Sequence, residues 1–71
     1  MAQTIRAEMV ASVLTVVANI GDEVGVGEPV VILESMKMEI PVVAEEAGIV
    51  TEILVAPGDV VREGDVIAIV L

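Results

Sequence analysis

The chain contains no cysteine, no histidine and no phenylalanine, tyrosine or tryptophan. Each absence closes off a class of function. Without cysteine there is neither a disulfide staple nor thiol chemistry. Without histidine the commonest metal ligand and the usual general base are missing. Without aromatic rings there is no platform on which nucleobases could stack. Positive charge is almost as scarce, with three Lys and Arg residues against twelve Asp and Glu, for a net charge of −9. Lys and Arg supply most of the affinity for nucleic acids and for anionic membranes, so neither partner fits. The negative charge keeps a very apolar small protein in solution, and it steers the molecule toward basic partner surfaces. No apolar run approaches the roughly 20 residues of a membrane helix. The N-terminus lacks the basic-then-apolar pattern of a secretion signal, since Glu8 follows soon after Arg6. The default setting is therefore cytoplasmic.

What the chain does have is aliphatic bulk. Hydrophobic residues make up 56% of its 71 positions. That length supports one domain and not two. A domain so small buries only about 60% of the surface its unfolded chain exposes, so the core has to be dense in branched aliphatics. Val, Ile and Thr cluster in Ser12–Val17, Pro29–Leu33, Ile40–Val43, Gly48–Val55 and Val66–Val70, which read as short strands. Gly-Asp pairs and Pro57-Gly58 punctuate them as turns. No run reaches helical length free of Gly or Pro, so the helical alternative is set aside. Apolar residues on both faces of several strands point to two small sheets closed on each other as a flattened barrel or sandwich.

The chain also repeats itself. Shifted by 37 positions, GDEVGVGEPVVI at Gly21–Ile32 falls without a gap on GDVVREGDVIAI at Gly58–Ile69. Further identities are Ala7 with Ala44, Glu8 with Glu45 and Val13 with Val50. Residues 1–34 and 38–71 are thus two halves, expected to pack about a pseudo-twofold axis. Val13, Val24 and Ile32 with Val50, Val61 and Ile69 are the expected paired core. Ser35, Met36 and Lys37 are left over at the junction, so the only lysine in the chain should project on a hairpin at one end, with the chain termini meeting near the other.

That hairpin carries the sequence ESMKMEIP, Glu34–Pro41. A tight two-residue turn wants Asn-Gly or Asp-Gly, because both central residues take positive φ. Met-Lys is locally wrong for such a turn, and local misfits tend to mark function. Met36 and Met38 are expected to be exposed, as flexible and polarizable side chains suit a surface that several partners grip.

The segment Glu34-Ser35-Met36-Lys37-Met38-Glu39, set in a duplicated β domain with a GDxVxxG turn in each half, resembles the attachment site of biotinyl domains, the biotin carboxyl carrier modules of biotin-dependent carboxylases. The resemblance covers essentially the whole chain. It departs where relatives often carry Pro and Gly and this sequence reads Met9-Val10-Ala11-Ser12. It implies an all-β fold of two four-stranded antiparallel sheets in a flattened barrel, without the protruding thumb of some bacterial carriers, as a free-standing carrier or a trimmed domain. It implies biotin joined covalently to Lys37, with Met36, Met38, Glu34, Ser35 and Glu39 as flanking recognition residues. A lysine amine is nucleophilic only once deprotonated, a small fraction of the time at neutral pH. A separate biotin–protein ligase must therefore present an activated acyl donor. The implied partners are that ligase and the biotin carboxylase and carboxyltransferase components, between which the carrier, monomeric on its own, shuttles a carboxyl group. The chain has no catalytic triad, metal cluster or phosphate loop, so it reads as a carrier and not a catalyst. Lipoyl carriers of acyl-transfer complexes share the architecture, usually with a DKA-like lysine setting. A lipoyl carrier and an unmodified β interaction module are the alternatives.

Overall fold

β-Branched residues restrict the backbone to extended conformations and pack well on a pleated surface, and eight strands form where they concentrate. A computed structural model describes residues 2–71. In chain order the strands are β1 (Gln3–Arg6), β2 (Ala11–Val16), β3 (Glu23–Val24), β4 (Pro29–Ser35), β5 (Met38–Val43), β6 (Gly48–Ile53), β7 (Val60–Val61) and β8 (Val66–Val70). Five of them lie where the aliphatic runs predicted them. β1, β3 and β7 come from segments too short or too polar to show a strand pattern.

The strands form two four-stranded antiparallel sheets, ordered β1-β8-β6-β3 and β5-β4-β2-β7. A shift of 37 residues carries each strand of the first order onto the strand at the same place in the second. Each sheet therefore mixes strands from both halves, and neither half forms a sheet alone. The connecting turns repeat too. Gly21 donates to the Val50 carbonyl at 2.7 Å and Gly58 to the Val13 carbonyl at 2.8 Å. Both glycines adopt positive φ, +96° and +94°, with open space where a Cβ would sit. Glycine is required there by the backbone conformation and not by crowding. The following aspartate stabilises each turn: Asp22 Oδ2 accepts from the Asn19 amide and Asp59 Oδ2 from the Ala56 amide, each at 2.9 Å.

The core is aliphatic throughout, and among the described residues it contains no buried polar side chain. Val13, Val24, Val50 and Val61 are buried in it, as the repeat suggested. Ile32 and Ile69 are not: both are only half-buried, and Val31, Leu33, Ala68 and Val70 take the inner face instead. The reason is a bulge. β4 meets β5 through Pro29↔Val43 and then Val31↔Val42, which leaves Val30 as an extra residue. β8 meets β1 through Val66↔Arg6 and then Ala68↔Ile5, which leaves Ile67 extra. A bulge lets two successive side chains face one way and reverses the alternation beyond it. Val30 and Val31 both point inward, and so do Ile67 and Ala68. Counted from Val30, Ile32 belongs inside; after the bulge it lies outside.

Candidate functional site

β4 and β5 are continuous up to the tip of their hairpin. Their register runs Leu33↔Ile40, Glu34↔Glu39 and Ser35↔Met38, so the loop is two residues long, Met36 and Lys37. These two are the non-glycine residues with positive φ among those described, at 53° and 65°. The geometry is the one that two-residue hairpin loops require, filled by two residues that do not favour it. A left-handed conformation costs an ordinary residue about 1 kcal/mol or more. Met36→Asn, which tolerates that conformation, should raise stability by about 0.5–1 kcal/mol. That is a gain of a few degrees in Tm for a domain of this size, measurable by thermal denaturation.

The turn holds its side chains in solvent. Met36 is 88% exposed and Met38 58%; Lys37, Glu34 and Glu39 are exposed and Ser35 is half-buried. None of the side-chain hydrogen bonds among the described residues involves any of these six. Glu34 and Glu39 are direct cross-strand partners, and like charges so placed destabilise a hairpin. Neither the turn residues nor the acidic pair beneath them serve the stability of the element that carries them.

The sheet also brings toward the tip two residues that the sequence did not reveal. Ser12 of β2 lies directly opposite Glu34, and Val60 of β7 lies opposite Ser12. Both are exposed. Neither is near Lys37 in the chain, and only the strand register reveals them. Among the described residues no group of three or more His, Cys, Asp or Glu could hold a metal ion, and no helix is long and apolar enough to cross a membrane. What the tip offers chemically is one primary amine on a flexible stem, with no side-chain hydrogen bond among the described residues.

A family profile described as "Biotin-requiring enzyme" matches residues 3–70. The chain belongs to the biotin/lipoyl attachment family. Within it, the chain is 57% identical over 70 residues to a biotinylated protein TB7.3 homolog of Mycobacterium leprae, covering 99% of both chains. It is 47% identical over 64 residues to the biotin/lipoyl attachment protein of Bacillus subtilis, covering 90% of this chain and 88% of that one. Among solved structures, the urea carboxylase of Kluyveromyces lactis superposes on all of this chain with a TM-score of 0.95 at 37% identity. This chain corresponds to only 6% of that enzyme. The chain is thus an attachment domain of carrier type.

Proposed function

We propose that this attachment domain, acting as a single unit over residues 1–71, is a biotin carboxyl carrier whose biotin is joined to Lys37. The observation that carries the proposal is the placement of Lys37: a solvent-exposed amine in a strained two-residue turn between two exposed thioethers. The residues present fit an acyl group. Lys37 Nζ would form the amide, and the exposed Met36 and Met38 side chains border the arm at its root. When bound, biotin supplies a ureido nitrogen able to carry a carboxyl group.

The chain's own contribution is position. No base lies beside Lys37 in the register to take its proton, so a separate biotin–protein ligase brings the activated acyl donor. The rigid hairpin then sets the pivot of the arm, and tethering raises the effective concentration of the cargo at each site it visits. A biotin carboxylase and a carboxyltransferase are the partners we assign to those two visits. The flanking methionines, and the word "biotinylated" in the name of the M. leprae relative, favour biotin over lipoate.

The test is co-expression with a biotin–protein ligase or with a lipoate ligase, each with its cofactor, followed by intact-mass measurement. The mass of biotin less one water is expected with the first enzyme alone. A lipoyl gain in its place would overturn the assignment of the cofactor. Met36→Gln and Met38→Gln should each change stability by no more than about 0.5 kcal/mol, as for other surface substitutions, and so leave Tm nearly unchanged. Both should slow turnover when the loaded domain is presented to a carboxylase.

A further inference from the structure

β1 closes one sheet and β5 closes the other, and a groove of about 510 Å³ separates these two edges. That volume falls within the roughly 300–1,000 Å³ typical of ligand-binding clefts. Met9, Ile40, Val42 and Val43 supply its accessible apolar lining, and Glu8, Glu45 and Glu63 stand along it. All three glutamates are exposed. The one basic residue on the lining, Arg6, already donates to the Gly64 carbonyl at 2.9 Å.

The groove is preformed. Gln3 reaches across from β1: its Oε1 accepts from the Glu45 amide at 2.8 Å, and its Nε2 donates to the Glu46 carbonyl at 3.2 Å. This clasp fixes the separation of the two edges at one end. A terminal strand leaves backbone N–H and C=O groups unpaired along its outer side, a template for an added strand. Pro41 removes one donor from β5, whereas β1 has no proline and keeps an N–H on every residue.

We propose that this groove is a docking site for an extended, basic segment of a partner polypeptide, with Lys or Arg alternating with apolar residues. Side chains of an extended segment alternate between two faces. One set would enter the apolar lining while the other faced Glu8, Glu45 and Glu63. Charge decides against the other occupants. A second copy of the chain, also at −9, would set glutamate against glutamate, and nucleic acid or an anionic membrane would be repelled likewise. The proposal does not depend on which group Lys37 carries.

The test uses two synthetic peptides of about ten residues, enough to extend some 33 Å as a strand. One alternates valine and arginine; the other has the same composition with the valines and arginines in separate blocks. Each is titrated into the isotope-labelled protein and followed by amide chemical shifts. The alternating peptide should bind more tightly, with shifts concentrated in Gln3–Glu8 and Ile40–Glu45. Replacing Glu8, Glu45 and Glu63 together by Gln should weaken it by about tenfold or more. Replacing Glu23, Glu34 and Glu52, none of which lines the groove, by Gln removes the same charge and should weaken it less than about threefold, as screened long-range attraction would. Equal weakening by the two triple variants, equal binding of the two peptides, shifts centred elsewhere, or no binding would each overturn the proposal. Biotinylation of the Glu8/Glu45/Glu63 variant, read by intact mass, should proceed as in the wild type, so failure here is separable from failure of the carrier reading.

Discussion

Lys37→Arg, produced beside an active biotin–protein ligase, gains no mass, while the wild-type chain gains one biotinyl group. The effect is complete because no other side-chain amine exists in the sequence. A guanidinium keeps the charge and much of the reach of lysine, but it is effectively always protonated and offers no acylable amine. The variant therefore removes the chemistry and retains the electrostatics of the tip. It should fold as the wild type does, since Lys37 is exposed and makes no side-chain hydrogen bond among the described residues. Circular dichroism and a thermal melt check that arm. Continued labelling of Lys37→Arg would leave only the α-amine as acceptor and would sink the assignment of Lys37.

Different parts of the molecule were legible in the sequence to different degrees, for physical reasons. The five long aliphatic runs announced their strands, because β-branched density is a local signal. The 37-residue repeat showed that structurally equivalent positions existed, and the matched turns at Gly21-Asp22 and Gly58-Asp59 follow from it. The repeat could not show direction. Ile32 and Ile69 are identical in the two halves and equivalent in space, yet both face outward because a bulge precedes each of them. A bulge is set by cross-strand pairing and has no one-dimensional signature in an all-apolar run such as Val30-Val31-Ile32-Leu33. β3 and β7, two residues each, exist because the opposite half supplies their neighbours. At the tip, Lys37 and its flanks were readable because they are consecutive. Ser12 and Val60 were not, because they arrive from separate strands.

Leu33→Ala should cost about 2–5 kcal/mol, the range for a buried leucine truncated to alanine. A chain of this length has roughly 4–10 kcal/mol of stability in all, so the loss amounts to about half of it, or roughly 10–30 °C in Tm. Leu33 is 1% exposed, and its inward direction is set by its pairing with Val13 and Ile40. The core has little with which to fill the vacancy. Its largest fully buried side chains are Leu33, Ile67 and four valines, and there is no aromatic residue to swing into a gap. Short β-branched side chains are also stiff at χ1, so the neighbours of Leu33 cannot reorient far, and the cost should lie toward the upper part of the range. Ile32→Ala is the paired control. It removes a comparable aliphatic mass one position away, from a side chain half-buried on the outer face, and should cost about 1 kcal/mol, near the average for point substitutions. Urea denaturation of the two variants separates them through their midpoints, provided the slopes stay equal. If Ile32→Ala is as damaging as Leu33→Ala, then the alternation across the bulge is wrong. β4 would then face the core in the other register, with Glu34 buried and the arm-bearing turn rotated away from its place between Ser35 and Met38.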